Sequence, residues 1–135
     1  MKPIRELVPH QGAMCLLAEV LEWSEDSIAC RASSHRDAAN PLRSGHGLSA
    51  VAGVEYAAQA VAAHSVLTSS TNPKAGYLAA LRDVSCAVER LDTEAADLVV
   101  RAQRLAAESG RLLYDFRIEA GGRELLRGRL SIASK

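Results

Sequence analysis

Apolar residues run almost unbroken from Leu48 to Leu67 (LSAVAGVEYAAQAVAAHSVL), a stretch that holds seven alanines. The pattern predicts one helix, apolar nearly all the way round, and a helix without a polar face belongs in a core, wrapped on most sides. Ser49 is placed to cap its start, and Ser69–Pro73 (SSTNP) is a stop signal. Gly53 costs helix propensity, which points to close approach by another backbone or a ligand. Glu55 and Gln59 stand one turn apart on the same face. A carboxylate in such a helix needs partners or a proton, unless it looks out through a gap in the wrapping and meets water.

The rest of the chain alternates at the period of strands. Met1–Gly12 is a short lead-in, with Pro3 and Pro9 limiting regular structure. Met14–Trp23 reads as a first strand, Ser24–Asp26 as a turn and Ser27–Ala32 as a second strand, together a hairpin. Ser33–Gly47 is a polar loop, long enough to suggest a function. After the helix come strand regions at Tyr77–Val88, Asp97–Ala106, Arg111–Glu119 and Arg123–Ala133. In Arg111–Glu119 the residues Leu112, Tyr114, Phe116 and Ile118 fall on one face, as do Leu126, Leu130 and Ile132 in the last strand. Glu108–Gly110 makes one turn and Gly121-Gly122 a tight one. The order predicts a single α+β domain, residues 1–135, with an antiparallel sheet curled round one buried helix. Sheet edges need covering, so a homodimer or larger homo-oligomer is expected.

Composition narrows the functions. Lysine plus arginine and aspartate plus glutamate both number 16, so net charge is zero, and the arginines are scattered. Nucleic-acid and anionic-membrane partners are therefore not expected. Hydrophobic residues make up 48% and charged ones 24%, the balance of an ordinary soluble protein. Glu55, Gln59 and His64 argue against reading the helix as a membrane span. With no signal-peptide core at the start, the expected location is the cytoplasm. Cys15, Cys30 and Cys86 are far apart and form no CxxC pair, so they read as buried thiols rather than metal ligands or disulfides. No Walker loop, GxGxxG, HExxH or GxSxG is present, and no cofactor or metal is expected.

The chemistry then rests on acids and imidazoles. Glu55, with Gln59 as an orienting amide, is the first candidate. His46, in SGHG at the helix entrance, is the second: its ordinary pKa suits proton transfer, and Gly45 and Gly47 let a ligand approach the backbone. His10 in VPHQG sits in a fixed turn and can close a pocket. His35 and His64 read as surface residues, and Asn40 before Pro41 as a loop-shaping residue. Ser44 and Ser49 near His46 are a weak hint of a nucleophile, lacking an orienting third residue.

LVPHQGAMCLLAEVLEW resembles the opening of hotdog-fold 3-hydroxyacyl-[acyl-carrier-protein] dehydratases, and AGVEYAAQAVAAH resembles their central helix, with its E-x-x-A-Q pattern. YLAALRDVSCAV and the strands after it are similar to their C-terminal sheet. The branch most resembled is that of the aryl-polyene-type dehydratases. The resemblance implies a hotdog fold, a curved antiparallel sheet around the helix, in a dimer with acyl tunnels near the interface. It implies elimination of water from a 3-hydroxyacyl thioester on an acidic carrier protein or coenzyme A. Glu55 then falls on the acid, with Gln59 its companion and His10 a pocket histidine; Gly47 and Gly53 join the substrate-binding candidates on the separate ground that glycine allows close approach. The chain departs from the GHFPG loop of the main dehydratases: GHGLSAVAGVE has no FPG, and His46 precedes Glu55 by nine residues. Three functions follow: a dehydratase, an acyl-thioester hydrolase, or a non-catalytic acyl-binding subunit paired with a hotdog paralogue. Arg36, Arg43 and Arg82 are candidate contacts for an acidic carrier.

Overall fold

The computed structural model describes residues 4–7, 14–68, 76–108 and 110–134. A one-turn helix α1 (Ile4–Leu7) precedes strands β1 (Glu19–Trp23) and β2 (Ser27–Ala32). The long helix α2 (Gly53–Leu67) follows, then β3 (Gly76–Cys86), β4 (Leu98–Glu108), β5 (Arg111–Ala120) and β6 (Arg123–Ser134). The six strands form one antiparallel sheet in the order β1-β2-β4-β5-β6-β3. The chain thus leaves β2, passes through α2, and starts β3 at the opposite edge. This is the expected α+β fold, one sheet against one long helix.

Period-2 alternation sets the faces. Leu112, Tyr114, Phe116 and Ile118 of β5 are all buried, joined by Leu98, Val100 and Ala102 of β4 and by Ile28 and Cys30 of β2. Helix α2 lies across β2, β4 and β5. Nine of its fifteen residues are buried, so the wrapped helix inferred from the apolar run is what forms. The N-terminal end is pressed closest: a Cβ on Gly53 would lie 2.9 Å from side-chain atoms of Ile118 and Leu126. The β5–β6 hairpin turns at Gly121-Gly122, both at positive φ (58° and 77°), which only glycine adopts at little cost.

The face turned away from α2 is charged. Arg101, Arg117 and Arg127 stand directly opposite one another across β4, β5 and β6. Glu119 bridges the first two, at 2.9 Å to Arg101 and 3.0 Å to Arg117, and Glu124 holds Arg127 at 2.9 Å. These acids offset the like-charge repulsion that the row would otherwise carry.

Several local expectations change. The first strand starts at Glu19, not Met14, because Met14–Leu17 is held by side chains from elsewhere: the Leu16 amide donates to Gln59 Oε1 (2.9 Å), Gln59 Nε2 to the Met14 carbonyl (2.7 Å), and Ser34 Oγ to the Leu16 carbonyl (2.8 Å). The helix starts at Gly53 rather than Leu48. The Leu48 carbonyl accepts from the Leu91 amide (2.8 Å) and the Ala50 amide donates to the Glu89 carbonyl (2.9 Å), which holds this stretch against 89–91 and leaves only a 3-10 turn, Ala50–Ala52, before α2. Ser49 caps that turn through the Val51 amide. Cys30 is buried and Cys15 half-buried, but Cys86, at the end of an edge strand, is exposed. His35 and His64 are not surface residues: both are fully buried.

Candidate active site

Along α2, Glu55, Ala58 and Ala62 are half-buried in one line (i, i+3, i+7), and Val51 just ahead of them is 60% exposed. This is the one strip of the helix that the sheet does not wrap. Glu55 therefore looks out through a gap, in the first turn of α2, where the aligned peptide dipoles favour negative charge. Gln59, one turn on, is fully buried, and its amide clamps the main chain at Met14 and Leu16. That clamp ties residues 14–16 to the helix bearing Glu55. His10 lies outside the described residues.

A buried polar network supports the clamp. Ser34 Oγ gives its proton to the Leu16 carbonyl, so the Tyr56 hydroxyl donates to Ser34 Oγ (2.7 Å) and accepts from Asn40 Nδ2 (3.0 Å). Asn40 also donates to the Ser34 carbonyl and accepts from the Leu42 amide, so it does shape the loop. Burial raises the pKa of Tyr56, keeping it a neutral donor.

His46 is exposed at the tip of a four-residue turn, Ser44–Gly47. The turn closes through paired backbone bonds, Ser44 amide to Gly47 carbonyl (2.9 Å) and Gly47 amide to Ser44 carbonyl (3.1 Å), while the His46 amide donates to Ser44 Oγ (3.1 Å). Gly47 has φ +92°, and a Cβ there would strike the Arg90 guanidinium and Asp92 carboxylate at 2.6–2.7 Å. Gly47 and Gly53 are thus both fixed by close packing. Ser44 and Ser49 serve the turn and the cap. Arg36 is paired with Asp97 (2.6 Å) and Arg43 stands 3.7 Å from Asp92; Arg82 lies on the outward face of β3.

The other two described histidines are locked. His64 Nε2 donates to the Ser24 carbonyl (2.8 Å), leaving Nδ1 to accept from the Tyr114 hydroxyl (2.6 Å), with the rings edge to face at 5.5 Å. Burial lowers the pKa of His64 and pushes Tyr114 up to about 12. His35 Nε2 donates to the carbonyls of Glu94 and Ala96, and burial lowers its pKa as well. These contacts span 40–61 residues of sequence, so no local signal announced them. Among the described residues no cluster of His, Cys, Asp or Glu has the makings of a metal site, and no helix is long and apolar enough to cross a membrane.

An ApeP-like family model, described as ApeP dehydratase, matches residues 2–135. The chain belongs to the ApeP dehydratase family. Membership places it among dehydratases, which are lyases. Among solved structures it is similar to a chain of the dehydratase heterocomplex ApeI:P from Xenorhabdus doucetiae, at 24% identity and a TM-score of 0.86, over 100% of this chain and 92% of that one. It also resembles a mutant of the thioesterase PA1618 from Pseudomonas aeruginosa (15% identity, TM-score 0.62, 84% and 78% covered) and the PaaI protein from the E. coli phenylacetic acid degradation operon (13%, 0.63, 85% and 81%). At these identities the likenesses establish the hotdog fold and nothing finer. A comparison with curated proteins finds no match.

Proposed function

We propose that this ApeP-family protein removes water from 3-hydroxyacyl thioesters carried on an acyl carrier protein, giving 2-enoyl thioesters. The observation that carries the reading is Glu55, set in the unwrapped strip at the N-terminal turn of α2 with an exposed histidine at the helix entrance. Dehydration breaks C2–H and C3–O and forms C2=C3: a base takes the C2 proton and an acid protonates the departing hydroxyl. Glu55 and His46 supply these two groups, and the amides at the start of α2 polarise the thioester carbonyl. Gln59 holds the helix in place for them, Gly47 and Gly53 set the path of the backbone on either side of the entrance, and His10 of the opening motif is kept as a substrate-side candidate. Arg82, exposed on the outward face of β3, is the candidate arginine best placed to meet an acidic carrier.

A second reading is favoured by the solved heterocomplex: the chain works as one of two dissimilar hotdog subunits. Edge strand β3 has one side unpaired in the single chain. Leu81, opposite the buried Leu130 on the helix side of the sheet, is 40% exposed, and a second subunit beside β3 would cover it.

Incubating the pure protein with 3-hydroxyacyl carrier protein and following the acyl mass tests both. Loss of one water, absent in Glu55→Gln, supports the first reading. Loss only after a second hotdog subunit is added moves the weight to the second. Release of free acid would overturn both in favour of a thioester hydrolase.

A further inference from the structure

The turn that carries His46 rests on a charged brace formed by another part of the chain. Asp92, in the segment between β3 and β4, has a side chain only 5% exposed. One oxygen accepts from the Leu48 amide (2.9 Å) and from Arg90 Nε (3.1 Å), the other from Arg90 Nη2 (2.5 Å). Arg43 Nη2 approaches the same carboxylate at 3.7 Å and its Nη1 reaches the His35 carbonyl at 3.4 Å, which ties the start of the loop to its end. Backbone bonds from Leu91 to Leu48 and from Ala50 to Glu89 complete the seam. The Arg90–Asp92 pair lies against the Gly47 Cα, where a methyl group would not fit. Leu48, the residue after Gly47, is fully buried and pins that end of the turn in the core. The exposed tip at His46 is thus held from behind.

We propose that Asp92 is the positioning residue for His46, its carboxylate fixing the entrance turn to α2 through the Leu48 amide and the Arg90 guanidinium. This inference rests on the reading of His46 as an acid–base group. Asp92 is suited to the task because it stays charged: the Arg90 hydrogen bonds, with the Leu48 amide next, hold its carboxyl far below the usual carboxylate range. In Asp92→Asn, the amide oxygen still accepts from Leu48, but the NH2 group faces Arg90 Nη2, donor against donor, so the fork opens and the turn loosens.

A double-mutant cycle on the protein in its active assembly separates the two claims. His46→Ala, Asp92→Asn and the double variant are assayed for dehydration, with Asp97→Asn as a control that removes a different carboxylate–arginine contact, the one with Arg31 and Arg36. Amide order parameters of Gly45, His46 and Gly47 are measured alongside. Asp92→Asn is expected to lower kcat between about ten- and a hundredfold, the scale of a misplaced catalytic group, with KM within about twofold. It should reduce order at the three amides and cause no further loss in the His46→Ala background, while Asp97→Asn stays at wild-type activity. Full kcat in Asp92→Asn beside a large loss in His46→Ala would overturn the positioning role, as would additive losses. Full activity in His46→Ala instead refutes the acid–base reading. In that case the order parameters decide, with unchanged order in Asp92→Asn overturning the brace and reduced order supporting it.

Discussion

The two ends of α2 use the same kinds of residue for opposite purposes. Near the C-terminal end, His64 has both ring nitrogens engaged, no exposed surface, and a tyrosine and a carbonyl as partners from β5 and the β1–β2 turn. At the N-terminal end, His46 is exposed, fastened by its backbone, and its ring makes no hydrogen bond to another described residue. Glu55 sits in the unwrapped strip of the same helix. A histidine with every valence satisfied in the core is a structural part, since any proton it takes must break a bond. A histidine fixed through its main chain keeps the ring for chemistry. The contrast shows that local rigidity and side-chain availability are separate quantities, and that the entrance has both.

Four experiments press on that contrast, from the largest effect down. Glu55→Gln should lower turnover by about 10²–10⁴-fold, the range for loss of one acid–base group, while loss of its charge at the helix N-terminus costs only about 0.3–1 kcal/mol of stability. A much larger loss of stability would make Glu55 a packing residue. Gly53→Val should destabilise the fold by about 1–3 kcal/mol or more in denaturant titrations, because Ile118 and Leu126 already fill the space of a Cβ. A neutral result would show that the entrance is looser than its packing implies.

Tyr114→Phe should cost about 1–3 kcal/mol, the penalty for leaving His64 Nδ1 buried without its donor, and leave turnover intact. The mildest effect concerns pH. Burial lowers the folded-state pKa of His64 and His35, so below their unfolded value of about 6.5 the unfolded chain takes up more protons. Stability is then full above that pH and declines as pH falls through it toward the folded pKa values. Urea midpoints compared at neutral and mildly acidic pH should show the decline, and His64→Gln should reduce its slope. An unchanged midpoint would mean that these rings protonate as freely in the fold as out of it.

What the sequence made legible follows from what is local. The β5–β6 hairpin could be read because its alternation and its Gly-Gly turn lie within a few residues of each other. The apolar run of α2 was equally plain, and so was the place of Glu55 on it. Met14–Leu17 misled because its leucines are buried like those of a strand, while its backbone is held by Gln59 and Ser34 rather than by a neighbouring strand. His35 and His64 misled for a related reason: polarity suggested solvent, and their partners lie at least 40 residues away. At the candidate site, the E-x-x-A-Q pattern pointed to Glu55. The brace behind His46 was invisible, since Arg90 and Asp92 look like any charged pair until Gly47 is placed against them.

The arginine row on the outer face of the sheet sets how copies of this chain can accumulate. Sheets that stack face to face do so about 10 Å apart and interlock apolar side chains. A second sheet laid over Arg101, Arg117 and Arg127 would have to strip water from three guanidinium groups and their acids, a cost of several kcal/mol per ion where the geometry is not ideal. Stacking through this face is therefore disfavoured. A strand added at the β1 or β3 edge would carry no such cost.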